Sequence, residues 1–285
     1  MRGLIASLSV SVCVAVPIIP LTVVALTVSA QGQAAEEIPG AKLIDRRAMQ
    51  AVCESSSATN VDANGHFQCT VCPSYTDFQG NNHESFDLQA VYPGHFSTTS
   101  AEQLLLALAG CESHASGLGG SILLTGDGAG WKKSGYFKGD SALKCLTFRA
   151  RDGFDRLVCF AGDGHFGTAA YWINAVSYKD GSRHAEPLLQ DIGTNMGGGS
   201  PVAGYCYEQD ITKFEKLSSG TGFMVVVKQT RGLAPAGEGS CGETEIRMEP
   251  TETVNLNFQF DGDHFALAPE SKDGLQKLKD LLPHH

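Results

Sequence analysis

Between Gly94 and Gly181 the chain is a succession of short apolar or alternating segments, broken roughly every ten residues by glycine-rich turns carrying aspartate. Strands need only about five or six residues and hairpin loops about two to five, so this spacing favours antiparallel strands over ordinary helices. Ser121–Thr125, Trp131–Phe137, Leu143–Ala150, Arg156–Phe160 and Ala170–Tyr178 read as strands, followed by Phe223–Gln229, Val254–Phe260 and His264–Ala268. Upstream, Phe86, Leu88 and Ala90 alternate with Asp87 and Gln89, as in a half-buried strand. Ser100–Ala109 admits two readings. Ser100 and Gln103 have capping-box spacing, whereas a short apolar run ending at Gly110 among hairpins suits a buried strand, the reading we favour. A short helix is expected around Ala41–Val52. Leu275, Leu278 and Leu282 would make one face of an amphipathic C-terminal helix over 271–282. The expected fold class is mainly β, built of antiparallel meanders and hairpins with a short C-terminal helix.

One hairpin can be read in register. If Arg151-Asp152-Gly153 is a three-residue loop with Gly153 left-handed, Cys145 faces Cys159, Leu146 faces Val158 and Arg149 faces Asp155. A cross-strand ion pair and a cysteine pair emerge from one choice of register, which supports a Cys145–Cys159 disulfide. Closing a loop of about 15 residues contributes roughly 3 kcal/mol in the chain-entropy account.

Residues 1–34 read as a secretory signal: Arg2 precedes an apolar run from Leu4 to Val28, and Val28-Ser29-Ala30 has small-x-small spacing. A run of roughly 25 apolar residues could also serve as an uncleaved anchor, although Pro17 and Pro20 disfavour a straight spanning helix. Cys13 would leave with the signal. The remaining Cys53, Cys69, Cys72, Cys111, Cys145, Cys159, Cys206 and Cys241 form an even set, expected as disulfides in an oxidising, secreted or periplasmic setting. Residues 35–62 read as a polar linker, and 63–285 as the disulfide-bearing domain, divisible into related halves near 63–165 and 166–285. The net charge of −10, without a Lys/Arg run, argues against nucleic acid. No membrane contact is expected beyond the leader.

A Gly-x-x-His-x-x-x-x-Leu-Gln-x-Val/Ile pattern occurs at Gly80–Val91 and Gly181–Ile192, and a His-Phe pair recurs at His66, His95, His165 and His264. Repetition of this kind suits repeated β-meanders. The segment YPGHFSTTSAEQLLLAL, followed by GGSILLTGDGAGW, resembles the FG-GAP/VCBS-type repeat of β-propellers, mainly over residues 92–136. The resemblance implies a propeller-like array of four-stranded meanders and a binding role. Where that family's calcium loop alternates Asp and Asn, this chain has Ser97-Thr98-Thr99-Ser100, so the resemblance carries no calcium.

Local chemistry is sparse. Cys69-Thr70-Val71-Cys72-Pro73 is a C-x-x-C, but Pro73 comes directly after it and no helical pattern supplies the dipole a redox pair uses, so structural disulfides are favoured over thiol exchange. His66, Cys69, Cys72 and His83 could offer zinc ligands, although not at finger spacing. Glu112 and His114, with Asp163 and His165, are the candidates for acid–base work in a secreted hydrolase or metal-dependent enzyme. Asp127-Gly128, Asp163-Gly164 and Asp261-Gly262-Asp263 read as ordinary turns. Residues 193–204 read as a flexible loop, a lid or a crossover. No nucleophile elbow, P-loop, dinucleotide fingerprint or H-E-x-x-H is present. The leading expectation is an exported binding or structural protein for a protein or carbohydrate ligand, with no cofactor. A hydrolase and a thiol–disulfide protein are the alternatives.

Overall fold

A computed structural model describes residues 44–54, 59–61, 67–76, 86–111, 120–139, 144–165, 168–234, 240–242 and 246–280. Residues 1–34, read above as a signal, and His66, His83, Glu112, His114 and Leu282 lie outside the described residues.

Hydrophobic alternation is resolved into two antiparallel meanders, each running in chain order. The first comprises β1 (Thr59–Val61), β2 (Phe67–Cys69), β3 (Phe86–Gly94), β4 (Gln103–Ala109), β5 (Gly120–Gly126) and β6 (Trp131–Lys138). The run Leu104–Leu108 is buried on both faces, which is why it lacks alternation. Leu104, Leu106 and Leu108 pack with Ile122 and Leu124 under helix α1 (Arg46–Val52), whose Ala48, Met49 and Val52 are buried. Leu105 and Ala107 point the other way, with Ala90, Tyr92 and Leu123, onto Leu157, Val176 and Tyr178 of the second sheet. Asp45 starts α1 by accepting the Ala48 N–H at 2.8 Å. The described part of 35–62 is thus core structure rather than the expected linker, because the apolar face of α1 covers the first sheet.

Gln103 does not cap a helix. It is 1% exposed, and its side-chain oxygen accepts the Phe96 and Ser97 N–H groups at 2.8 Å and that of Thr98 at 3.3 Å. Its amide donates to Ser97 Oγ (2.8 Å) and Thr125 Oγ1 (2.9 Å), so one residue ties the β3–β4 loop to the sheet. Gln103→Ala is expected to cost about 2 kcal/mol, because donors in that loop lose their acceptor. The urea midpoint of the oxidised protein measures it.

The second sheet comprises β7 (Lys144–Arg149), β8 (Asp155–His165), β9 (Thr168–Lys179), β10 (Ser182–Thr194), β11 (Tyr205–Lys216), β12 (Gly222–Leu233), β13 (Glu249–Phe260) and β14 (Phe265–Leu267). It curls about an aromatic core. Phe148 of β7 lies 5.6 Å from Phe260 and 5.1 Å from Phe265, at the far end of the strand order. The Arg151 N–H donates to Gly262 O at 2.9 Å, joining the β7–β8 and β13–β14 turns. Helix α2 (Lys272–Asp280) buries Leu278 in the same core. The β7–β8 pairing places Cys145 opposite Cys159 and Arg149 opposite Asp155, with Gly153 left-handed at φ +83°.

The disulfides are Cys53–Cys69, Cys72–Cys111, Cys145–Cys159 and Cys206–Cys241. Each stays within one sheet and its flanking segments, so the two sheets are joined by packing and hydrogen bonds. The division falls between Lys138 and Lys144, earlier than the halves expected near 165, because the Cys145–Cys159 hairpin begins the second sheet. Meanders of six and eight strands replace four-stranded blades, and no closed propeller is present among the described residues. No helix of the described residues is long and apolar enough to cross a membrane.

The 193–204 segment is pinned rather than free. Asn195, 1% exposed, donates to Ser200 O and accepts the Tyr207 N–H, both at 2.8 Å. The Cys241 N–H donates to Gly199 O, beside the Cys206–Cys241 bond. A buried side-chain amide here supplies the partners that the backbone lacks.

Candidate functional site

Strand register assembles a cleft of about 270 Å³ on the second sheet, lined by polar side chains together with Ala175, Val176, Ala185 and Phe265. Arg156 of β8 pairs with Phe148 and, one step before the Leu157–Val176 pair, lies beside Ser177 of β9. Ser177 in turn pairs with His184 of β10. Guanidinium, hydroxyl and imidazole therefore form one cross-strand row. The period-two rule puts Val158, Ala175 and Glu186 in the next row on that face. Asp263, His264 and Phe265 from the β13–β14 turn complete the lining. Phe265 is buried, whereas His184, Glu186, Asp263 and His264 lie towards solvent at the rim.

The surrounding carboxylates are largely engaged. Asp152 pairs with Arg156, and Asp263 with Arg151 at 3.0 Å. Burial raises the Asp152 pKa, but the Phe154 N–H and Arg156 outweigh it and hold the carboxyl below its ordinary range. Asp261 Oδ1 accepts the His264 and Asp263 N–H groups at 2.9 and 2.8 Å. These bonds, with Arg151 nearby, keep its carboxyl below the usual value. Asp127 likewise accepts the Ala129 and Gly130 N–H groups, so both motifs behave as turns.

The expected site residues are not gathered here. Asp163 and His165 sit in the β8 ladder opposite Ala170 and Thr168, with Gly164 between them, so Asp163-Gly164 is strand rather than turn. At about 3.3 Å per residue, Asp163 lies roughly 20 Å along β8 from Arg156. Cys69 and Cys72 are bonded to Cys53 and Cys111 rather than to each other, and both sulfurs of the suggested zinc set are thereby used. Among the described residues, no group of three or more His, Cys, Asp or Glu side chains is placed to hold a metal.

A second polar cluster joins the sheets. Asp155 is 4% exposed and takes Arg149 Nε on Oδ1 (2.8 Å) and Arg149 Nη2 on Oδ2 (3.1 Å). Its Oδ2 also accepts the His95 N–H at 2.6 Å, while the Asp155 N–H donates to His95 O at 2.8 Å. Nearby, the Tyr92 hydroxyl accepts the Cys145 N–H at 2.9 Å, and burial pushes its pKa up to about 12. Of the His-Phe pairs, those at His95 and His264 bury Phe96 and Phe265 as anchors, leaving the imidazoles at a bonded junction and at the cleft rim.

In the sequence, His184 stands out through the repeat, Asp263 through a turn and His264 through a His-Phe pair. Nothing local marks Arg156, Ser177 or Glu186 as site residues, because only cross-strand register brings them together. No protein-family model, curated protein or solved structure matches this chain.

Proposed function

We propose that the protein is exported and binds a ligand in the cleft between β8–β10 and the β13–β14 turn. The observation that carries this reading is the cross-strand row Arg156–Ser177–His184, facing Asp263 and His264. Polar groups converging on a concave patch of rigid strands suit recognition. Four disulfides suit an oxidising setting, and the apolar leader with its small-x-small end supports export. The resemblance of 92–136 to FG-GAP/VCBS repeats adds a binding role, while its four-stranded blades form no part of this reading.

Titrating the oxidised protein with a panel of saccharides and peptides while monitoring backbone amide resonances tests this. Shifts are expected to centre on Arg156, Ser177, His184–Glu186 and Asp263–Phe265. Shifts confined to the His95 junction or to the far end of β8 would overturn the assignment, as would a panel that moves nothing.

A further inference from the structure

We propose that the exposed dipeptide Thr70-Val71 is a docking loop for a serine protease whose specificity pocket takes small aliphatic side chains, and that the chain inhibits such an enzyme. Among the described residues only two large apolar side chains are exposed, Val71 at 42% and Leu233 at 74%. Leu233 belongs to a strand ladder, opposite Tyr205, whereas Val71 stands on a bend just after β2, between Cys69 and Cys72. Cys69 is bonded to Cys53 at the end of α1, and Cys72 to Cys111 beyond β4. Two residues are thus bolted at either end to different parts of the first sheet's core, where Cys53, Cys69 and Cys111 are buried. The chain beyond is held as closely. Pro73 O accepts the Thr76 N–H at 3.0 Å and the Thr76 hydroxyl at 2.7 Å, and Glu54 takes the Ser74 N–H and hydroxyl, both at 2.9 Å. An aliphatic side chain carried by a braced backbone has little freedom left to lose on docking. A single anchor of this kind in a matching pocket can carry much of the binding energy of an interface. In serine proteases the pocket beside the nucleophile selects the side chain that precedes the scissile bond, and a small pocket suits valine.

The two disulfides also decide between inhibitor and substrate. The protease serine Oγ attacks the Val71 carbonyl, and the Val71–Cys72 peptide bond breaks. The serine proton passes through the protease's histidine to the departing Cys72 nitrogen. In an ordinary substrate that amine diffuses away, and water then releases the acyl group. Here the new amine end stays joined through Cys72–Cys111 and the acyl end through Cys69–Cys53, so the two remain side by side. The amine attacks the acyl-enzyme at the high effective concentration of a tethered group, the serine regains its proton and the peptide bond re-forms. The loop occupies the protease instead of feeding it. This surface belongs to the first sheet, so the inference stands or falls independently of the cleft on the second.

The test is inhibition of pancreatic elastase by the oxidised protein, with trypsin as the contrast, each read on a small chromogenic substrate. Elastase is expected to be inhibited reversibly at about 1 μM or below, and trypsin not at all. Val71→Asp should weaken the inhibition of elastase at least about a hundredfold, and Val71→Lys should transfer inhibition to trypsin, whose pocket holds an aspartate. Because Val71 is exposed, both variants should keep the urea midpoint of the unmodified chain, which establishes that they are folded. Mass analysis after long incubation with elastase should show at most slow cleavage, at the Val71–Cys72 bond. Elastase left fully active by about 100 μM of the folded protein would overturn the proposal. Inhibition undiminished in Val71→Asp would overturn it as well, and so would cleavage of the loop as fast as that of a linear peptide of residues 67–76.

Discussion

Replacing Phe223 by alanine is expected to destabilise the protein by about 4 kcal/mol, within the usual range for emptying a buried phenylalanine site. Phe223 has no exposed surface and stacks on Phe258, with ring centroids 4.7 Å apart and planes 1° from parallel. Phe214 and Phe265 meet it edge-on, at 5.8 and 5.9 Å. These rings belong to β11, β12, β13 and β14, so one truncation opens a void shared by four strands of the curled sheet. Strands cannot collapse into such a void without breaking their ladders, which places the cost in the middle of the range rather than at its foot. Phe223→Leu keeps most of the volume and should cost about 1–1.5 kcal/mol. Urea unfolding with the disulfides intact measures both. A loss below about 1 kcal/mol for the alanine variant would mean that the aromatic cluster does not hold the curl of the sheet.

Asp155→Ala is expected to cost about 3 kcal/mol, at the low end for a buried ion pair. The carboxylate is 5% exposed, so its loss removes a buried acceptor from the His95 N–H and from two Arg149 donors. Arg149 is 55% exposed and can rehydrate, which keeps the cost from rising further. Arg149→Ala alone should cost about 1 kcal/mol, because the His95 N–H still bonds the carboxylate. A double-mutant cycle should then show coupling between the two positions of about 1 kcal/mol. Near-zero coupling would show that the Arg149–Asp155 pair adds nothing to the β7–β8 hairpin, and an Asp155→Ala loss no larger than that of Arg149→Ala would show that the bond from the His95 N–H to the carboxylate does not help to hold the sheets together. The junction matters because no disulfide links the two sheets.

Legibility in the sequence depends on the range of the interaction. Strands with clean alternation, such as β13 from Val254 to Phe260, are visible because side-chain period is a local property. The β7–β8 register is visible because a three-residue loop with glycine in the left-handed position ties it to the chain. Strands β10 and β11 do not stand out as strands. Their ladders shift between Pro187 and Leu189, between Leu189 and Ile192, and between Ile211 and Lys213. Each bulge inverts the facing of the residues beyond it, so no single period runs through either segment. Gln103 shows the same limit at one residue: it has capping-box spacing, but its partners are loop amides and Thr125 on the next strand.

By itself the sequence determined a mainly β chain with hairpin punctuation, one disulfide-bearing hairpin, an even cysteine set suited to an oxidising compartment, and a short terminal helix. The cysteine set is a count over the chain; the strands, the hairpin and the helix rest on neighbours within about 15 residues, where spacing alone sets the geometry. Tertiary structure decided the partners of the other six cysteines, the burial of Leu104–Leu108 on both faces, and the gathering of strands into meanders of six and eight. It also decided the cleft. Arg156, Ser177 and His184 meet only because successive ladders fix which residues stand abreast, and Asp263 and His264 face them only because the sheet curls until its last turn returns to its first. Pairing across strands depends on bulges and curvature summed over the whole sheet, and no local pattern of residues encodes that sum.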